Sequence, residues 1–150
     1  MRLLTWELER MTLDAEQTHS QNSQVIDEFR RNGGQVGGNF EGAPVLLLHT
    51  VGAKSGAERI NPMMYQQVGD AYAVFASAAG DDDHPAWYHN LLAHPDVTAE
   101  VGTTTLALHA RVLDDAERTP IWERQKSDYP GFAGYEAKTD RIIPVVLLEP

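Results

Sequence analysis

Two cations and two glycines stand together in residues 45–65, VLLLHTVGAKSGAERINPMMY. Lys54 and Ser55 lie between Gly52 and Gly56, and Arg59 follows just beyond. Glycine lets a backbone reach positive φ and lets a ligand approach it closely. Successive N–H groups in such a loop line a concavity suited to an anion. In a chain of net charge −10, a cationic bend points to a bound phosphate or carboxylate. The competing explanation is a solvated turn, in which Gly, Lys and Ser are ordinary residues. The loop is not a nucleoside-triphosphate P-loop. That pattern needs G-x-x-x-x-G-K-[ST] between a strand and a helix, whereas Gly56 follows Lys-Ser and the chain after it reads as extended.

Other chemistry is sparse. His84, His89 and His94 recur every five residues, a spacing that shares no helix face and makes a poor metal clamp. H-E-x-x-H and G-x-S-x-G are absent. Asp81-Asp82-Asp83 lacks the EF-hand spacing and reads as a solvated run. No metal is expected. Ser55 and Ser77 suit turn or cofactor hydroxyls better than nucleophiles. Trp87, Tyr129, Phe132 and Tyr135 are either an apolar ligand wall or one end of the core. No residue set unites acid, base and nucleophile, and chemistry of that kind is commonly delegated to a cofactor.

The elements that must position these residues follow from the pattern. Val45–Leu48 and the run through Met64 form a hairpin around the cationic loop. Residues 71–77, 97–101, 105–112 and 142–148 read as further strands, the stretch 105–112 by its strict alternation. That gives six strands, with Pro144 at an edge or a strand start. One helix is expected to follow an N-cap at Asn22 or Ser23 and run through Arg31, stopped by Gly33-Gly34, and another to run from Pro85 to about Ala93, capped by Asp83 or His84. Another runs from Asp114, with Glu117 in a capping-box position, to Ser127. Residues 129–135 read as an aromatic, glycine-containing loop. Hairpin order without β-α-β alternation predicts a mainly antiparallel α+β fold.

Size and composition narrow the function. One domain fits 150 residues, with residues 1–24 an N-terminal helix and linker and residues 25–150 the folded unit. Leu4, Leu8 and Met11 make the first segment amphipathic. It is a candidate for core packing, a dimer contact or a weak peripheral membrane contact, and is too poor in basic residues to favour the last. There is no cysteine, so thiolate metal sites are out. No leader-like apolar run and no run near the ~20 residues of a membrane span is present, and a cytoplasmic protein is expected. Acidity argues against nucleic acid as a partner.

In order and spacing, four segments resemble the deazaflavin (coenzyme F-420)-dependent nitroreductase family of actinobacteria, within the split β-barrel flavin-binding superfamily. They are G-A-K-S-G-A-E-R-I-N-P (52–62), H-P-A-W-Y-H-N-L (84–91), H-P-D-V-T (94–98) and T-D-R-I-I-P-V-V-L-L-E-P (139–150). The resemblance implies a six-stranded antiparallel split β-barrel, FMN-binding-like, that transfers a hydride from reduced F-420 to a quinone, nitroaromatic or activated enone. It implies Lys54 and Arg59 on the cofactor's phosphate and oligoglutamate tail, with Ser55 and Gly56 in the same loop. Pro62, Met63 and Met64 would line the ring, and Ala76, Ser77, Ala78 and Gly80 would border its other side. Trp87, Tyr129, Phe132 and Tyr135 would form the substrate pocket, with Ser77 or Tyr135 donating to the developing anion. Three departures stand out: Ala53 where many relatives carry Arg, Met64 where Tyr occurs, and Phe132 without a hydroxyl. The alternatives are FMN or haem in a related groove, or a non-catalytic cofactor- or lipophile-binding protein. Split barrels of this kind often form homodimers.

Overall fold

A computed structural model describes residues 22–150. The expectation for residues 1–19 lies outside the described residues. Helix α1 covers residues 22–31 and ends at the turn containing Gly33 and Gly34. The strands are β1 (Val45–Val51), β2 (Glu58–Met64), β3 (Gln66–Val68), β4 (Ala71–Phe75), β5 (Asp96–Val101), β6 (Thr104–Val112) and β7 (Val145–Glu149). Helices α2 (Ala86–Ala93), α3 (Asp115–Asp128) and α4 (Gly131–Ala137) complete the chain.

All seven strands join one antiparallel sheet in the order β2-β1-β5-β6-β7-β4-β3. β2 and β3 are its opposite edges, yet only Tyr65 separates them in sequence. One residue of chain spans at most roughly 7 Å between its neighbours. The sheet must therefore curl until its edges nearly meet.

The alternation of side chains explains what fills the curl. Leu46 and Leu48 of β1, Val74 of β4 and Val146 and Leu148 of β7 pack inside it, where Leu91 of α2 joins them. The opposite faces of the same strands need outer cover. Val45 and Leu47 meet Phe29 of α1, while Ala73, Phe75, Val145 and Leu147 meet Trp122 of α3 and Phe132 of α4. Buried on both faces, β1 and β7 read as continuous apolar runs, as two-sided burial requires.

Four expectations are corrected. The described residues form seven strands, one more than expected, because Tyr65 interrupts the extended run and sends Gln66–Val68 to the other edge. β7 begins at Val145 and lies between β6 and β4. Pro144 therefore marks a strand start, the choice its missing N–H allows in a central strand. Pro85 is the N-cap of α2, not its first residue, and no side chain caps that helix. Residues 131–137 are helical, not loop. Gly131 and Gly134 oppose helix by about 1 kcal/mol each, but Phe132 and Tyr135 dock on the Phe75–Trp122 cluster and override that preference. The Asp114 cap forms as expected, accepting from the Glu117 N–H at 2.9 Å.

Candidate functional site

The cationic loop closes on itself between β1 and β2. The Gly52 N–H donates to Ala57 O at 2.8 Å and the Gly56 N–H to Gly52 O at 2.9 Å. Ser55 folds over the turn, its Oγ accepting from the Ala57 N–H at 3.2 Å. A Cβ on Gly52 would meet that Oγ at 2.5 Å, and Gly56 has φ +70°. The two glycines thus serve different needs, space and handedness.

Asn90 pins this loop to α2. Its Oδ1 accepts from the Ala53 N–H at 3.0 Å, and its Nδ2 donates to Thr50 Oγ1 at 3.2 Å. Asn90 and Thr50 are both buried. Asn90→Leu is expected to leave the Ala53 N–H and Thr50 hydroxyl without their partners, costing about 1–3 kcal/mol. Thermal melting together with amide exchange at Ala53 measures it, and an unaltered melting curve contradicts the pinning role.

A cavity of about 750 Å³ opens between the loop and the first turn of α2. Lys54, Ser55, Arg59 and Asn61 line one side, and Pro85, Trp87, His89 and Asn90 the other. Arg59 and Asn61 are two apart on β2 and so share a face. Among the described residues neither Lys54 nor Arg59 pairs with a carboxylate, and no carboxylate lines the cavity. The uncapped N-terminus of α2 adds its partial positive charge to theirs.

Trp87 also lines a second cavity of about 780 Å³. Its walls include Pro62, Met63 and Met64 of β2, Phe75, Ser77 and Ala78 after β4, and Phe132 and Tyr135 of α4. Val25 and Glu28 of α1 and Phe40 also line it, with polar Asn22 and Gln24 at the start of α1. The structure thus places Lys54, Ser55 and Arg59 in one cavity, and Pro62, Met63, Met64, Ser77, Ala78, Phe132 and Tyr135 in the next, with Trp87 common to both. Four expected residues fall outside the two linings. Gly56 shapes the loop, Ala76 is fully buried, Gly80 is the buried last residue of the turn after β4, and Tyr129 packs on the α3–α4 cluster.

That turn is strained. Ala78 and Ala79 have φ of 45° and 53°, a region costing a residue with a Cβ about 1–2 kcal/mol. The carbonyls around it accept from Arg141, and Nη1 of Arg141 also lies 3.1 Å from His84 Nδ1. Burial, then the neighbouring Arg141 charge and His89, hold the His84 imidazole below its usual range, against a smaller opposing pull from Asp83. The unfolded chain therefore binds this proton first as pH falls. Stability from neutral His84 is complete above about pH 6.5 and drains away as pH drops through its lower folded value. Urea midpoints measured across that window should fall with pH in the wild type and less in His84→Gln.

The roles of Asn90 and Arg141 are not singled out by the sequence, and His84 is singled out there only as a poor metal ligand and a candidate helix cap. Asn90 carried one signal, a polar residue beside Leu91 in the apolar helix. Arg141 stands in the 139–150 segment that carries the resemblance, but nothing there points to its partners, which are backbone carbonyls some sixty positions away.

Known proteins resemble this arrangement. Residues 22–150 match the family described as F420H(2)-dependent quinone reductase. A Mycobacterium tuberculosis protein named F420H(2)-dependent quinone reductase is 38% identical over 124 residues, 80% of this chain and 83% of its own. A solved F420-H2 dependent reductase, FDR-A, is 42% identical, with a TM-score of 0.65 over 71% of this chain and 94% of that one. Another structure, described as a domain-swapped dimer, is 35% identical, with a TM-score of 0.67 over 91% of this chain and 99% of that one.

Proposed function

This chain belongs to the F420H(2)-dependent quinone reductase family, and from that membership we propose that its two joined cavities hold reduced F-420 and a quinone during hydride transfer. The observation that carries the assignment is the division of labour across Trp87. One cavity is cationic and free of carboxylates, and suits an anionic tail. The other is walled by Met63, Met64, Phe75 and Phe132, and suits planar apolar rings. When bound, reduced deazaflavin supplies the hydride. Lys54 and Arg59 anchor the tail, and Ser55 and Gly56 keep their loop in shape. Pro62, Met63, Met64, Ser77 and Ala78 orient the ring, and Trp87, Phe132 and Tyr135 hold the acceptor. The apolar walls exclude water, which strengthens every polar contact inside. Ser77 Oγ and the Tyr135 hydroxyl are the donors we assign to the oxygen on which negative charge develops.

The curled sheet with an unpaired seam is, in this proposal, the split barrel of the flavin-binding superfamily. A homodimer belongs to it too, on the strength of the 35% identical relative solved as a domain-swapped dimer. A cytoplasmic setting agrees with the absence of cysteine. Among the described residues no helix is long and apolar enough to cross a membrane.

The test is a titration with F-420 and with FMN, followed by oxidation of reduced F-420 with menadione as acceptor. Saturable F-420 binding with menadione-dependent turnover is the expected result. Binding of FMN in preference to F-420, or F-420 binding with no turnover across quinones, nitro compounds and enones, rejects it.

A further inference from the structure

We propose that Arg141 positions the wall bearing Ser77 and Ala78, by holding the backbone on both sides of the strained turn; this rests on the cavity assignment above. Arg141 donates from Nη1 to Ala76 O at 3.0 Å and from Nη2 to Ser77 O at 2.9 Å. Its Nε reaches past the turn to Asp81 O at 2.8 Å. The left-handed residues Ala78 and Ala79 lie between these grips. Within the turn two backbone bonds oppose relaxation, Gly80 N–H to Ser77 O at 2.8 Å and Asp81 N–H to Ala78 O at 3.0 Å.

The neighbours of Arg141 extend the clamp. Lys138 Nζ donates to Ala79 O at 3.2 Å, and Thr139 Oγ1 to Asp82 Oδ1 at 2.9 Å. Residues 138–141 thus form a strap laid against the turn. Its far end is anchored in the core, since Ile143 is 1% exposed and β7 begins at Val145. Across the same junction, Pro144 O accepts from the Ala76 N–H at 3.0 Å.

Two features separate this role from a general electrostatic one. Among the described residues Arg141 pairs with no carboxylate; the partners of its guanidinium are three carbonyls and one imidazole nitrogen. Those carbonyls diverge, and only a planar fork of fixed N–H groups meets them together. Lysine keeps the charge and cannot span them. A cation needed only for its field would be replaced by lysine, and a positioning fork would not.

Arg141→Lys is compared with the wild type by amide hydrogen exchange in the ligand-free protein, then by F-420H2 binding and menadione turnover. Exchange at Gly80 and Asp81 is expected to quicken about tenfold or more, the loss of one or two charge-assisted bonds, while amides of β1 and β5 keep their rates. Binding at the Lys54 cavity should change less than about threefold and kcat should drop about tenfold. Ala79→Gly removes the strain at one position and should slow exchange at Gly80 and Asp81 in the Arg141→Lys background. Unchanged exchange at these amides in Arg141→Lys overturns the proposal. So does faster exchange throughout β1 and β5, which would make the role global, and so does failure of Ala79→Gly to slow the turn. Should the wild type not bind F-420H2, the cavity assignment fails on its own, and the exchange data still judge the clamp.

Discussion

Replacing Lys54 and Arg59 together with alanine is expected to weaken F-420H2 binding by about tenfold to a hundredfold. A charge-assisted hydrogen bond contributes roughly 1.5–3 kcal/mol when well ordered. Both side chains are exposed, and solvent screening reduces that figure, so the pair together should give about 1.4–2.8 kcal/mol. The molecule's net charge of −10 makes the effect larger at low salt. Without the two cations the anionic tail would approach a chain of still more negative net charge, felt within a Debye length of about 10 Å at 0.1 M salt. Titrations at several ionic strengths check both parts. Wild-type affinity should fall steeply with salt, and the double variant should start weaker and respond less. Equal affinity of the two proteins would remove the cationic loop from the binding site.

The loop could be seen in the sequence because its signal is local. Gly52 and Gly56 lie four residues apart, Lys54 and Ser55 lie between them, and the hairpin that closes them follows at once. The helix start at Asp114 and Glu117 is visible for the same reason, since the capping carboxylate and the N–H that donates to it sit three residues apart. Residues 129–135 read as loop in the sequence because local preference and tertiary packing disagree there. Two glycines in seven residues oppose helix, and only Phe75 and Trp122, remote in sequence, reveal why Phe132 and Tyr135 need one. The seventh strand was hidden by a similar conflict. Gln66–Val68 is too short for a period to show, and it earns its place by pairing with β4 across the Gly69–Asp70 turn. Arg141 marks the limit of what a sequence can show, since carbonyl partners leave no trace in residue types.

The same cluster around α4 gives the largest expected loss of stability. Trp122 is 1% exposed. Its ring lies 5.9 Å from Phe75 and 6.1 Å from Phe132 between centroids, with Arg118 at 5.2 Å and Lys126 at 5.9 Å from its own. Trp122→Ala should cost about 3–5 kcal/mol, a large part of the roughly 5–15 kcal/mol that holds a domain folded. At about 2–4 °C per kcal/mol for a chain of this size, the melting temperature should fall by roughly 6–20 °C. Trp122→Phe separates packing from polarity. It keeps most of the ring but removes the indole N–H that donates to Glu136 Oε2. That bond, ahead of the one from Lys126, holds the Glu136 carboxyl below the usual range against its partial burial. A carboxyl so lowered stabilises the fold above its unfolded pKa, and the contribution is lost as pH falls through the folded value. Trp122→Phe should therefore lose less stability than Trp122→Ala at neutral pH, and its melting temperature should decline less than the wild type's on acidification. Because Phe75 and Phe132 face the second cavity, where the proposal puts the acceptor beside the deazaflavin ring, Trp122→Ala should also raise the KM for menadione more than it weakens binding of F-420H2, whose tail is held at the Lys54 cavity. Equal damage to both would mean that the two cavities do not divide the work as Trp87 divides the space.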